Sequence, residues 1–138
     1  MRLLNINGRL VYKSVSKYRI VWDGKSRSQP QFLAKQFLKT YWSTQVVYEE
    51  FPVYGTLMRV DILNATKNIA IEINGAQHSQ FSKHFHGSRT NYFNSIQRDM
   101  LKRGWLEKNG FNIIEIEDHE VAALSLEFFV KKFNISIV

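Results

Sequence analysis

Residues 60–78 read VDILNATKNIAIEINGAQH, and this stretch decides the fold. Two apolar runs, residues 60–63 and 69–73, are rich in the β-branched side chains that favour strands, and a polar segment of turn-forming residues separates them. The pattern predicts a β-hairpin. Each strand of this hairpin carries one acid, Asp61 in the first strand and Glu72 in the second.

Asp61 and Glu72 are the residues that point to chemistry. Burying a carboxylate in an apolar sheet without a partner costs roughly several kcal/mol, so two converging acids need a cation between them. A divalent metal ion is the partner that oxygen ligands of this kind prefer. The alternative is a pair of surface-facing acids on an edge strand, and the pattern alone leaves both interpretations open.

The composition limits the classes to which the protein can belong. A chain of 138 residues is most simply one domain that can bury a real core, and the absence of cysteine excludes disulfides and thiolate zinc sites. The first residues lack the apolar core of a secretory signal, and no apolar run approaches the roughly 20 residues that span a bilayer. We therefore expect a soluble cytoplasmic protein without a membrane partner, from a bacterium or a phage-infected host.

Positive charge is concentrated near the start of the chain. The formal net charge is +7, and residues 1–39 contain nine lysines and arginines against the single acid Asp23. Such a surface attracts polyanions, of which phosphate backbones are the commonest inside cells, although a merely solvated basic face has the same composition. The candidate DNA-binding residues are Lys13, Lys17, Arg19, Lys25 and Arg27.

The first part of the chain has the pattern of a small β-rich arm. Asn7-Gly8 lies between the short apolar stretches 3–6 and 10–12, which predicts a hairpin, and residues 18–22 favour a further strand. We expect residues 1–28 to form a basic N-terminal β-hairpin arm and residues 29–138 to form the core.

The core alternates helical and strand patterns. Apolar spacing and start and stop residues predict helices, and Tyr92, Phe93 and Trp105 are expected in the hydrophobic core. The expected helices cover residues 30–42, about 95–106 and 120–133. The expected strands cover residues 46–53, 60–63, 69–73 and 111–116. Residues 78–91 are expected to form a loop. This order predicts a mixed α/β fold with helices flanking one central sheet.

Five segments together resemble the PD-(D/E)xK nuclease superfamily, in particular the very-short-patch-repair-like endonucleases and the small phage homing endonucleases. They are VYEEFPV at 47–53, VDI at 60–62, IEINGAQH at 71–78, QRDML at 97–101 and GFNIIEI at 110–116. The resemblance implies a restriction-endonuclease-like core, an active site where the Asp and Glu strands diverge, and magnesium-dependent hydrolysis of phosphodiester bonds in double-stranded DNA.

The resemblance assigns the metal-binding acids to Asp61 and Glu72, and Asn74 stands where the family usually has lysine. Magnesium needs only one or two carboxylates and keeps several waters, so Asp61, Glu72 and the backbone carbonyl of Ile73 would suffice as ligands, with manganese as an alternative ion. Asn74 lies on the same strand face as Glu72 and can orient a water or a phosphate oxygen, but it carries no charge.

Other side chains must therefore supply a base or a cation. The imidazole of His78 titrates near neutrality, and Gln77 beside it could bind a water or a phosphate. Arg98 and Lys102 are four residues apart on one helix face, so either could bring a cation to the phosphate.

Two further groups of polar residues have less specific patterns. Glu49 and Glu50 adjoin the first strand of the sheet, and one of them is a candidate outer acid of the site. His84 and His86 have the spacing of a zinc pair, but without cysteine or a third nearby ligand they indicate a polar loop.

These residues favour a metal-dependent DNA endonuclease of the homing or very-short-patch-repair type. A structure-specific nuclease such as a Holliday-junction resolvase is an alternative, and so is a catalytically degenerate DNA-binding module, because Asn74 replaces the lysine. A protein whose basic arm binds an acidic partner is a third possibility. A long DNA target would require a homodimer or a larger homo-oligomer.

Overall fold

The computed structural model describes residues 1–75 and 89–138, which form a sheet with helices on both of its faces. The strands are β1 (Arg2–Leu4), β2 (Leu10–Tyr12), β3 (Val47–Pro52), β4 (Arg59–Asn64), β5 (Ile69–Asn74) and β6 (Asn112–Glu117). The α-helices are α1 (Gln29–Trp42), α2 (Arg89–Lys108) and α3 (Leu126–Phe133), and short 3-10 helices cover Ser16–Tyr18 and Asp118–Ala123.

The central sheet has four strands in the order β3-β4-β5-β6. The first two pairings are antiparallel, and β6 joins β5 in parallel after the long connection that contains α2. Because β4 and β5 are the two inner strands, Asp61 and Glu72 lie in the interior of the sheet rather than on an edge. The predicted mixed α/β fold with one flanked sheet is confirmed, and the edge-strand alternative for the two acids is wrong.

Two apolar layers cover the two faces of the sheet. On one face, the isoleucines of β5 and β6 pack with α1 and α3, chiefly through Leu38, Trp42 and Phe129. On the other face, Trp105 and Leu106 of α2 pack with Phe51 and with residues of the N-terminal arm. The site acids therefore lie in a sheet that is supported from both sides.

Helix α1 begins as the sequence predicts. Ser28 is its N-cap, and the Ser28 hydroxyl oxygen accepts a hydrogen bond from the Gln31 backbone N–H at 3.3 Å. Pro30 lies in the first turn, where its missing N–H costs nothing. The cap fixes the chain immediately after Arg27.

The arm is a two-stranded sheet that packs against the core. The paired strands β1 and β2 confirm the Asn7-Gly8 hairpin, and Gly8 has the positive φ of 80° that this turn requires. Buried Leu3 contributes to the same apolar layer as Trp105, and the Trp105 indole N–H donates to the carbonyl oxygen of Leu4 at 2.7 Å. These contacts fix the arm against α2.

The predicted strand at residues 18–22 is wrong. A 3-10 turn ends at Tyr18, and only an isolated bridge between Arg19 and Tyr48 connects the segment to β3. The chain then turns, with the Gly24 N–H bonded to the carbonyl oxygen of Val21 at 2.9 Å. Side chains of α1 also bind the carbonyl oxygens that a strand would have paired, because Lys35 Nζ donates to Val21 at 2.9 Å and Gln36 Nε2 donates to Trp22 at 2.6 Å.

The predicted terminal helix and the start of the second helix also need correction. Residues 120–133 divide into a 3-10 helix and α3, because the Ser125 side chain caps a new helix by accepting from the Phe128 N–H at 3.0 Å. Residues 89–91, expected in a loop, belong to α2. Trp105 is buried as predicted, whereas Phe93 is exposed. The Tyr92 side chain lies outside the described part of the chain.

Candidate active site

The two acids lie where β4 and β5 separate. The pairing of these strands ends at Ile62 and Ile71, and beyond that point side chains replace the backbone ladder. The Asp61 N–H donates to Glu72 Oε2 at 3.0 Å, and the Ile73 N–H donates to Asp61 Oδ2 at 2.8 Å. Each carboxylate is thus held by the backbone of the opposite strand, and both side chains are buried.

The second oxygen of each carboxylate faces a cation. Asp61 Oδ1 accepts a hydrogen bond from Arg27 Nη2 at 3.2 Å, and Lys102 Nζ lies 2.6 Å from Glu72 Oε1. Arg27 comes from the loop before α1, and Lys102 comes from α2. The predicted proximity of Lys102 to the acids is therefore present in the structure, from a position distant in sequence from Asn74.

Burial and the neighbouring Asp61 carboxylate raise the pKa of Glu72 to about 8, although Lys102 and the Asp61 N–H act in the opposite direction. Burial and the charge of Asp61 also raise the pKa of Glu50, against the lowering effect of Arg27. The carboxylates at this point of the sheet therefore repel one another. Additional positive charge would stabilise their ionised forms.

Glu50 has an unusual backbone conformation beside Asp61. Its φ is 52°, and the β3–β4 ladder pairs residues on either side of Glu50 but leaves Glu50 itself out. Glu50 Oε1 is buried without a hydrogen-bond partner, and the nearest cation is Arg27 Nε at 3.6 Å. Backbone strain of this kind costs roughly 1–3 kcal/mol and is concentrated at functional sites. Of the two candidate outer acids, Glu50 is therefore the one that the structure places beside Asp61.

Glu49 belongs to a different polar group, on the α1 face of the sheet. Its carboxylate accepts from Lys35 Nζ at 3.0 Å, from Gln31 Nε2 at 2.9 Å and from Ser26 Oγ at 2.6 Å. Lys35 is fully buried and also donates to backbone carbonyl oxygens of the 21–24 turn. The oxygens of Glu49 are committed to this network, so the structure does not bring Glu49 together with Asp61 and Glu72.

Asn74 and Arg98 form their hydrogen bonds with residues other than Asp61 and Glu72 in the described part of the chain. Asn74 lines a small cavity together with Glu72 and Lys102, and its amide lies 3.4 Å from Glu115 Oε2. The Arg98 guanidinium donates to Ser95 Oγ at 3.3 Å on the exposed face of α2. Lys102, rather than Arg98, is the helix cation that reaches an acid.

A cleft of about 950 Å³ opens beside the acids, between α2 and the β3–β4 hairpin. Its cations come from three separate elements, and Leu57, Met58 and Leu101 form its apolar part. The positively charged residues that line it are Arg27, Arg59, Arg98 and Lys102. A cleft with this lining can accept a phosphate chain and the less polar groups attached to it.

The predicted DNA-binding residues have different neighbours in the structure. Lys13 lies 5.4 Å from the centre of the Tyr54 ring, and Lys17 lies 5.2 Å from that of Tyr18. Lys25 and Arg27 share a second cleft of about 430 Å³. Arg27 is the candidate that reaches the acids directly, and no signal in the sequence distinguished it from the other basic residues of the arm.

Several candidates lie outside the described residues, among them Gln77, His78, His84 and His86. Within residues 1–75 and 89–138, no group of three or more His, Cys, Asp or Glu side chains forms a metal cluster. Two carboxylates with a backbone carbonyl remain compatible with magnesium, which retains waters as ligands.

In the same part of the chain, none of the helices has the length and apolar character needed to cross a membrane.

Comparison with known proteins finds two viral relatives. The chain is 30% identical over 86 residues to uncharacterized protein 033L of Invertebrate iridescent virus 3, covering 62% of this chain and 44% of that protein. It is 34% identical over 59 residues to uncharacterized protein 307L of Invertebrate iridescent virus 6, covering 43% of this chain and 30% of that protein. The chain thus spans less than half the length of these relatives. No family model and no solved structure matches it.

Proposed function

We propose that the protein is a magnesium-dependent endonuclease that hydrolyses phosphodiester bonds in double-stranded DNA. The observation that carries this proposal is the crossed arrangement of Asp61 and Glu72. Each carboxylate has one oxygen fixed by a backbone N–H and a second oxygen directed at a cation. Two such oxygens beside a positively charged cleft suit a divalent ion with a bound phosphate.

The chemistry of the donors fits a magnesium ion. Asp61 Oδ1, Glu72 Oε1 and the backbone carbonyl of Ile73 would hold it, and the neighbouring Glu50 carboxylate adds negative charge to the site. When bound, the ion would lower the pKa of a water and polarise the phosphate. The requirement for an extra cation follows from the repulsion among the carboxylates.

The side chains around the acids have separate tasks in this proposal. Lys102 holds a positive charge beside Glu72 and takes the position that Asn74 leaves without charge. The Asn74 amide can orient a water, since it lies on the same side of β5 as Glu72. Arg59 and Arg98 bind phosphates along the cleft, because guanidinium groups form paired hydrogen bonds with phosphate oxygens.

The proposed nuclease has two candidate classes of DNA substrate, an extended duplex and a branched DNA. A homing or very-short-patch-repair type of enzyme would cut an extended duplex, and a junction resolvase would prefer a branched one. Comparing supercoiled, linear and four-way-junction DNA under identical conditions distinguishes these substrates. The relatives come from invertebrate viruses, which supports a role of this protein in a virus-infected cell.

Plasmid cleavage with site-specific variants tests the proposal. We expect nicking or linearisation of supercoiled plasmid in Mg²⁺ or Mn²⁺ but not in EDTA. Loss of a metal ligand should cost more than the roughly 10–100-fold that loss of an outer partner costs, so Asp61→Asn and Glu72→Gln should each reduce the rate at least about 100-fold. Asp23→Asn is the matched control, because Asp23 is an exposed acid paired with Lys39.

Two results would contradict the proposal. Cleavage that persists in both Asp61→Asn and Glu72→Gln would remove these residues from the active site. DNA binding that needs no metal, combined with no cleavage in Mg²⁺ or Mn²⁺, would instead support a non-catalytic DNA-binding module.

A further inference from the structure

Arg27 and Lys102 hold the two site carboxylates in different ways. Lys102 Nζ is 2.6 Å from Glu72 Oε1, and its side chain is 20% exposed. Arg27 Nη2 is 3.2 Å from Asp61 Oδ1, and its side chain is 63% exposed. Hydrogen bonds between charged groups are usually about 2.7–2.9 Å long, so the Arg27 contact is the weaker one. It is also the more accessible one to solvent.

The backbone on both sides of Arg27 is fixed, although its side chain is exposed. Ser26 is tied to Glu49 by a hydrogen bond of 2.6 Å, and Ser28 caps α1. The guanidinium can therefore leave Asp61 by rotation of its own side chain, without movement of the loop. Arg27 lines both the cleft of about 950 Å³ and the cleft of about 430 Å³. A released guanidinium therefore remains close to the position of a bound phosphate.

We propose that Arg27 is an exchangeable counter-ion: a divalent metal replaces it at Asp61, and the freed guanidinium then binds a phosphate of the DNA. This inference rests on the proposed function of the site. It adds that metal binding and DNA binding are coupled through one side chain. Metal would raise DNA affinity and DNA would raise metal affinity by the same factor, because such coupling is reciprocal.

The charges around Asp61 support the exchange. When all three acids, Asp61, Glu50 and Glu72, are ionised they face two cations, so a divalent ion changes the local balance from negative to positive. The guanidinium and a metal ion at Asp61 would repel each other at this separation. A phosphate group is the anion that would rebalance the site, and a planar guanidinium binds it through two donors.

Arg59 provides a matched control in the same cleft. Its guanidinium donates to the backbone carbonyl oxygen of Glu50 at 3.1 Å and has no recorded ion pair with a carboxylate in the described structure. Removing either arginine takes one positive charge from the cleft. Only removal of Arg27 takes away a group that competes directly with the metal.

Electron paramagnetic resonance measures the binding of Mn²⁺ in the absence of DNA, and this affinity reports the competition between Arg27 and the metal ion at Asp61. We expect Arg27→Gln to bind Mn²⁺ about five-fold more tightly than Arg59→Gln, which corresponds to the loss of a partly exposed ion pair. Because Arg27 is largely exposed, we expect the thermal unfolding midpoints of both variants to stay near that of the wild type.

Fluorescence anisotropy with a labelled DNA duplex, in EDTA and in Ca²⁺, measures the coupling. The wild type and Arg59→Gln should both bind DNA more tightly in Ca²⁺ than in EDTA. In Arg27→Gln, the change in the logarithm of the dissociation constant between EDTA and Ca²⁺ should be at least about half smaller. Equal behaviour of the two variants in both measurements would overturn the inference and leave the proposed nuclease intact. Absence of Mn²⁺ binding by the wild type would overturn both.

Discussion

At the scale of single residues, Lys35 is the most constrained charge in the described structure. Its side chain has no exposed surface, and its ammonium contacts Glu49, the carbonyl oxygen of Val21 at 2.9 Å and that of Gly24 at 2.8 Å. Three donors thus meet three acceptors. The ammonium joins α1, β3 and the turn that precedes Arg27, so it supports one wall of the site without belonging to it.

Replacing Lys35 by methionine should strongly destabilise the protein. The Glu49 carboxylate would remain nearly buried without its cation, and breaking a buried ion pair in this way costs roughly 3–5 kcal/mol. Urea denaturation measures the loss in the free energy of unfolding. Lys39→Met is the control, because the exposed pair of Lys39 with Asp23 should contribute no more than about 1 kcal/mol. A Lys35→Met loss no larger than the control would contradict the structural role.

The same residues show what the sequence could and could not predict about the site. Asp61 and Glu72 are visible because acids are rare in apolar strand patterns, and Lys102 is visible from its helical spacing. Arg27 and Glu50 depend on a loop conformation and on a positive φ, which composition does not encode. Lys35 has the pattern of an ordinary basic surface residue, so only the tertiary structure identifies its burial.

At the scale of secondary-structure elements, two glycines occupy contrasting positions in and just after α2. Gly104 lies inside the helix, and Gly110 follows its end with a φ of 84°. At Gly110 the chain closes the helix through backbone bonds, including one from the Phe111 N–H to the carbonyl oxygen of Leu106 at 3.0 Å. Neither glycine has an atom within 4 Å of an added Cβ, so backbone conformation alone distinguishes them.

We expect alanine to have opposite effects at these two positions. Gly104→Ala should raise the free energy of unfolding by up to about 1 kcal/mol, because alanine favours the helix. Gly110→Ala should lower it by roughly 1–2 kcal/mol, because a side chain disfavours the left-handed backbone conformation. Urea denaturation of both variants measures the difference. Changes of the same sign would contradict the placement of the helix end.

Element types were predictable from the sequence wherever one pattern was strong. The β4–β5 hairpin and α1 follow from their apolar spacing and turn or cap residues. The strand predicted at residues 18–22 fails because the single bridge at Arg19 offers little pairing, and side chains of α1 bind the carbonyl oxygens of Val21 and Trp22. The break before α3 depends on Ser125 acting as a cap, which a continuous apolar pattern obscures.

At the scale of the whole molecule, the proposed DNA binding should depend on how the positive charge is distributed. Lys13, Lys17 and Arg19 are exposed on the N-terminal segment. If the arm contacts DNA, neutralising all three should weaken binding to every sequence by a similar factor. The slope of log affinity against log salt concentration should fall by about 0.9 for each lost phosphate contact.

A variant with the same loss of charge elsewhere controls for net charge. Neutralising Lys67, Lys108 and Lys131 removes three positive charges from other parts of the molecule and should change the slope less. Anisotropy titrations at several salt concentrations give both slopes. Equal slopes for the two triple variants would remove the arm from the DNA interface.

The crossed hydrogen bonds of Asp61 and Glu72 also have a kinetic consequence. They join residues only 11 and 12 positions apart, so the β4–β5 hairpin can close them early during folding. Lys102 and Arg27 come from distant parts of the chain and must arrive later. For part of the folding reaction the two carboxylates are therefore close together without their counter-ions. The electrostatic repulsion that the proposed metal ion would relieve in the folded protein thus opposes the formation of its central hairpin.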